Sequence, residues 1–146
     1  MSAGAKHVGC PLCDETGGEL VWQDAQLRVI LAAEHEYPGF CRVIWQAHQA
    51  ELSDLDAAER AHLMHVVVRV ERVLREIMAP AKINLASLGN QVPHLHWHVI
   101  PRFADDAHFP SPVWAPKRHT VEPALLAERA ARAALLPDAL RQALSL

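Results

Sequence analysis

The chain has 146 residues and a mass of 16.2 kDa, which is enough for one compact domain with its own core and too little for several. Apolar residues make up 51% and charged ones 21%, which excludes a disordered or collagen-like chain. The net charge of −3, from 14 basic and 17 acidic residues without a long run of either sign, excludes a general nucleic-acid clamp, because such a surface concentrates Lys and Arg.

In chain order, the first segment, Met1 to Gly18, carries Cys10-Pro11-Leu12-Cys13 and ends in Gly17-Gly18. It has no apolar core of a secretory signal, and the longest strongly apolar run, Val66 to Val68, is far short of a membrane span. These features predict a cytoplasmic protein without membrane contact. Glu19 to Trp22 and Leu27 to Leu31 read as strands joined by a turn, and Cys41 to Trp45 as a third after Pro38-Gly39. Ser53 is the expected N-cap of a long helix, with Asp54, Asp56 and Glu59 favouring the positive end of its dipole. Leu63, Val66, Val67, Val70, Val73, Leu74 and Ile77 recur at helical spacing, His62 and His65 fall on the solvent face, and Pro80 ends the helix. Ala81 to Leu88 reads as a strand, Gly89-Asn90-Gln91 as a turn, and His94 to Ile100 as another strand. A proline-rich loop and a helical tail from Glu122, interrupted at Pro137, complete the chain. The expected fold is α+β, with about five antiparallel strands, one long helix packed across them and a C-terminal helical tail. The expected organisation is an N-terminal Cys-x-x-Cys segment over residues 1–18, a domain over 19–116 and a helical extension over 117–146.

The compositional oddity is histidine, with ten in the chain, and the densest run is His94-Leu95-His96-Trp97-His98-Val99-Ile100. On a strand the three imidazoles share one face at spacings of about 7 Å. Two cations at that distance repel by roughly 2 kcal/mol at an effective dielectric near 20, so at least one ring stays neutral as a nucleophile, base or metal ligand.

This run resembles the signature of the histidine triad (HIT) superfamily, three histidines alternating with apolar residues and followed by two more. The resemblance spans about Cys10 to Trp114. The longer run from Gly89 to Arg102 is similar to a bacterial branch labelled diadenosine tetraphosphate hydrolase-like. The resemblance implies a HIT-like fold and a nucleotide hydrolase or nucleotidyl transferase acting at an α-phosphate. It implies that His96 attacks phosphorus to form a nucleotidyl-histidine, splitting one displacement into two. His98 would contact phosphate oxygens or the leaving group, and His94 would orient the others or bind metal. Asn84 and the backbone amides around Asn90 and Gln91 would hold the phosphate. Many relatives carry a longer turn with a hydroxyl before the first histidine; here Gly89 is followed by Asn90-Gln91-Val92-Pro93. The acid that grips ribose in relatives has no clear counterpart, with Glu34 and Glu36 the nearest candidates. A homodimer through the long helix and an edge strand is also implied.

The Cys10/Cys13 spacing suits a zinc knuckle, whereas a redox pair would need a strand before it and a helix after it. The galactose-1-phosphate uridylyltransferase branch of the superfamily adds an upstream histidine and the first triad histidine. That implies a structural zinc shell of Cys10, Cys13, His48 and His94, with His7 as a rival ligand. Two other readings compete: a nucleotide-sensing protein without useful turnover, and a protein whose triad itself holds metal. Arg102 is a modest candidate for a distal phosphate, His108 for the pocket wall, and Cys41 for the core. Trp22, Trp45 and Trp114 are each open between core and base stacking.

Overall fold

The computed structural model describes residues 5–145; the first four residues of the N-terminal segment and the last of the tail lie outside it. A four-residue helix α1 (Pro11–Asp14) is followed by strands β1 (Glu19–Gln23), β2 (Leu27–Leu31) and β3 (Cys41–Trp45). A 3₁₀ turn (Leu52–Asp54), the long helix α2 (Ala57–Met78), and strands β4 (Lys82–Ala86) and β5 (His96–Arg102) come next, then helices α3 (Pro123–Ala133) and α4 (Leu136–Leu144). The strands form one antiparallel sheet in the order β1-β2-β3-β5-β4. The expected α+β architecture is therefore present. None of the helices among the described residues is long and apolar enough to cross a membrane.

Element ends shift by a few residues from the sequence reading, and three of these differences have a clear local reason. The cap of α2 is Asp56, not Ser53: its carboxylate accepts from the Glu59 N–H while the Glu59 carboxylate accepts from the Asp56 N–H. That reciprocal box satisfies two orphan donors at once, and Ser53 falls in the preceding 3₁₀ turn. Strand β5 starts at His96 rather than His94, because the His94 N–H turns back to the Val92 carbonyl at 2.8 Å and its side chain is used elsewhere. β4 stops at Ala86, where the Ser87 hydroxyl caps the ladder by donating to the His96 carbonyl at 2.8 Å.

Alternation divides the sheet into two unlike faces. Val29, Val43, Trp45 and Val99 point towards α2 and pack with Leu63, Val67, Val70, Leu74 and Met78 in the main core. Cys41 and Trp45 belong to this core and Trp22 packs at its margin, leaving only Trp114 with an exposed ring. Burial pushes the Cys41 thiol up to about 12, so it is an inert apolar residue. The tail joins the same core: Leu136, Leu140 and Leu144 of α4 are buried with α2 and β1. Leu140→Ala is expected to cost about 2–5 kcal/mol in a denaturant titration; a change within about 0.5 kcal/mol would mean that the tail is peripheral.

The opposite face carries Arg28, Arg42, Ile44, His96, His98 and Arg102. It is covered by the N-terminal segment, through Cys10 and Leu12 against Ile30 and Ile44, and by the loops holding Tyr37, Phe40, Ala107 and Val121. Chemistry-bearing side chains are thus concentrated on one side of the sheet, under loops, the short α1 and the start of α3 rather than under the long helix α2.

Candidate active site and metal cluster

The central strands β3 and β5 pair Ile44 with His96 and Arg42 with His98. This register places two imidazoles and a guanidinium side by side in the middle of the sheet. The rings of His96 and His98 meet edge to face at 4.9 Å, and His98 also contacts Phe40 and the exposed Trp114.

Each ring has its tautomer assigned by a neighbour. His96 Nδ1 lies 2.6 Å from the His94 carbonyl oxygen. A carbonyl only accepts, so Nδ1 carries the proton and Nε2 keeps its lone pair. Burial lowers the His96 pKa, the His94 carbonyl works against that, and Arg42 adds to it; the ring is neutral at pH 7. Arg42 Nε donates to His98 Nδ1 across 3.3 Å, the opposite tautomer. Burial first, then His96 and Arg42, push the His98 pKa down to about 4.

Both rings open into a cavity of about 490 Å³ whose walls include Arg42, Trp114 and the turn Gly89-Asn90-Gln91-Val92. A second cavity of about 290 Å³, lined by Glu34, Glu36, Tyr37, Phe40 and His108, shares Arg42 and Trp114 with the first. The structure thus brings His96, His98, Asn90 and Gln91 around one space. Asn84 shares the sheet face, but its side-chain carbonyl is engaged by Arg102 Nη1 at 2.7 Å and it does not line that space. Arg102 is no phosphate ligand. Its side chain is 2% exposed and holds Asp106 through two hydrogen bonds of 2.8 and 3.0 Å and the Ser111 carbonyl through a third. His108 does line the second cavity, where its Nδ1 meets the Tyr37 hydroxyl at 2.5 Å. A larger groove between α3 and the 32–39 loop adjoins the second cavity through Glu34 and His35 but is lined by neither His96 nor His98.

His94 points away from this cavity. Its Nδ1 lies 3.4 Å from both Cys10 Sγ and Cys13 Sγ, and Cys13 Sγ lies 3.4 Å from His48 Nδ1. All four ligand atoms fall within 4.8 Å of one another. A tetrahedron with metal–ligand bonds of about 2.0–2.3 Å has edges of about 3.3–3.8 Å; the three 3.4 Å separations match these edges, and the widest, at no more than 4.8 Å, is within about an ångström of them. His94 Nε2 meets the Trp45 carbonyl at 2.5 Å, which leaves Nδ1 as the ligating nitrogen and supplies the outer hydrogen bond typical of metal-bound histidines. Burial pushes the Cys13 thiol above its usual range, the His7 N–H counters this, and Cys10 raises it further; a cation at the centre would reverse that. His7 stands outside this cluster: its ring stacks on His48 at 4.8 Å and its backbone N–H reaches Cys13 Sγ at 3.4 Å.

Two arginines were missed in the sequence as site residues. Arg28 Nη2 donates to the carbonyls of Leu12 and Glu15 at 2.6 and 3.0 Å, and Nε to that of Thr16 at 2.9 Å, so it clamps the cysteine segment to the sheet. Arg42 lies against the triad. Their signal was an arginine at an inward position in Leu27-Arg28-Val29-Ile30 and Cys41-Arg42-Val43-Ile44, where an apolar residue is the norm.

Residues 14–105, well over half of the chain, match the HIT domain family. The chain belongs to the HIT family. Among solved structures, this HIT protein is similar to a histidine triad protein from Bradyrhizobium japonicum, with 29% identity, a TM-score of 0.71, and coverage of 94% of this chain and 97% of that one. A zinc-bound histidine triad family protein from Mycobacterium smegmatis shares the fold at 24% identity and a TM-score of 0.62, covering 94% and 95% of the two chains. Two curated relatives are each 33% identical. They are an AP-4-A phosphorylase from Mycobacterium tuberculosis, over 49% of this chain and 40% of that protein, and an asymmetrical bis(5'-nucleosyl)-tetraphosphatase from Schizosaccharomyces pombe, over 44% and 38%. The matches span less than half the length of either relative.

Proposed function

We propose that this HIT protein is a nucleotide hydrolase or nucleotidyl transferase acting at the α-phosphate of a dinucleoside polyphosphate or nucleoside phosphoramidate. The observation that carries the reading is the His96 ring, neutral and with its Nε2 lone pair free beside a cavity. Nε2 attacks phosphorus, a nitrogen–phosphorus bond forms, and the bond to the leaving group breaks with its electron pair. Water, or phosphate in a phosphorolytic variant, then displaces the histidine. His98 contacts the phosphate oxygens or leaving group, and the Asn90–Gln91 backbone amides face the growing charge. Asn84, its side-chain carbonyl held by Arg102 outside the cavity, makes no direct phosphate contact in this reading. The names of the two curated relatives support the dinucleoside polyphosphate class. A panel of dinucleoside polyphosphates and nucleoside phosphoramidates tests the reading: turnover of at least one is expected, and turnover of none contradicts it.

The metal is zinc in this proposal, held by Cys10, Cys13, His48 and His94 in a shell with no open position. Bound there, it supplies cross-linking rather than chemistry, tying the N-terminal segment to the loops after β3 and before β5. Purified protein is expected to contain about one zinc per chain, lost in Cys13→Ser and kept in His96→Ala, by elemental analysis. Loss of metal in His96→Ala would favour the triad as the ligand set instead. The proposal also includes a cytoplasmic homodimer. Supporting the dimer, β4 forms one edge of the sheet, and Leu85 on it and Val68 on α2 are exposed.

A further inference from the structure

We infer that Arg42 holds His98 as a neutral Nε2–H donor and thereby selects substrates whose leaving group departs as a phosphate anion over those whose leaving group departs as an amine. This rests on the proposed function and narrows its substrate class. A guanidinium has five N–H donors, no acceptor and no accessible neutral form. With Arg42 Nε aimed at His98 Nδ1 at 3.3 Å, that nitrogen must accept, and the ring proton sits on Nε2. Placing a second proton on Nδ1 would set two donors against each other. Surrendering the Nε2 proton from the neutral ring would leave an imidazolate. His98 in this state donates a hydrogen bond but does not transfer a proton.

Arg42 is held in that position from several sides. It is opposite His98 in the β3–β5 register, its guanidinium lies 5.3 Å from the centre of the Phe40 ring, and Nη1 donates to the Gly17 carbonyl at 3.3 Å. The carboxylate of Glu34 lies 3.9 Å from Nη2, a long and half-exposed ion pair that water screens. The cation therefore sits where the two cavities join, with charge available to a phosphate chain passing between them.

The chemistry then depends on the leaving atom. When His96 Nε2 bonds to the α-phosphorus of a dinucleoside polyphosphate, the phosphorus–oxygen bond breaks and its electron pair stays on the departing phosphate chain. No proton is consumed, and the Arg42 cation and the His98 N–H stabilise the developing charge. When the same attack breaks a phosphorus–nitrogen bond, the pair leaves on nitrogen and a proton must accompany it, which His98 does not supply.

The test compares kcat/KM for diadenosine tetraphosphate and adenosine 5'-phosphoramidate in the wild type, Arg42→Leu and Arg42→Lys, together with nitrogen NMR of the His98 ring. The wild type is expected to prefer the tetraphosphate by at least about 10²-fold. In Arg42→Leu that preference falls by about tenfold or more and the His98 tautomer is no longer fixed. Arg42→Lys keeps the charge without the planar Nε–H, so it retains more of the tetraphosphate KM than of the tautomer. An equal loss on both substrates in Arg42→Leu, or a phosphoramidate preference in the wild type, overturns the inference. So does a protonated Nδ1 on wild-type His98, a readout that needs neither turnover nor a folded variant. Turnover of neither substrate would contradict the proposed function, while the NMR result would still decide the state of His98.

Discussion

His96→Ala is expected to lower turnover by at least about 10⁴-fold, with nucleotide affinity changed far less. The reasoning is geometric. A histidine attacks phosphorus only through a neutral ring nitrogen, and His96 is the triad member whose free nitrogen is an acceptor facing the cavity. His98 is no substitute, because its Nδ1 is covered by Arg42, and His94 faces the cysteines. Alanine removes the nucleophile while leaving the His98 donor, the turn amides and the cavity walls, so binding survives. Steady-state kinetics on the substrate found active, alongside nucleotide titration of the variant, check both halves. A loss below tenfold would mean that His96 is a contact rather than the nucleophile.

The second large effect is on stability. Arg102→Met is expected to cost about 3–5 kcal/mol in a denaturant titration. Arg102 and Asp106 are 2% and 1% exposed, so methionine strands a buried carboxylate. Burial raises the Asp106 pKa; the Arg102 hydrogen bonds and the N–H groups of Phe103, His108 and Phe109 overcome this and bring it down to about 2. A carboxyl depressed on folding contributes stability that is fully present above its unfolded pKa near 4 and is lost as pH falls towards 2. Wild-type stability should therefore decline through that window, and an Arg102→Met/Asp106→Asn double variant, which removes the charge but keeps an acceptor for the Phe103, His108 and Phe109 N–H groups, should recover part of the loss at pH 7. A single variant within about 1 kcal/mol of wild type would contradict the buried-pair account. Arg102 also holds the Asn84 side chain on β4, so the same variant frees that amide on the sheet face.

Much of this was legible because periodicity is local. The spacing of Leu63, Val67, Val70 and Leu74 gave the face of α2, and the His96/His98 alternation gave the chemical face of β5. The cysteine spacing pointed to a metal knuckle, and the two partner histidines came from the family resemblance. Tertiary effects were less visible. His94 obeys the alternation in sequence yet leaves the strand, because its ring joins Cys10 and Cys13 while its N–H closes a turn onto Val92. The α4 leucines read in the sequence only as part of a helical extension, since nothing local says which surface they will meet. Arg102 reads in the sequence as a modest candidate for a distal phosphate, since nothing local shows that the loop through Phe109 and Ser111 buries it against Asp106.

The central claim is that His96 becomes covalently attached to the nucleotide. Rapid quench of the wild type mixed with substrate labelled at the α-phosphorus, followed by peptide mass analysis, tests it most directly. The account predicts a nucleotidyl adduct on His96 that forms before product appears and decays at the rate of product release, with no adduct in His96→Ala. Product formed without labelled protein, an adduct on another residue, or an adduct that persists in His96→Ala would contradict it.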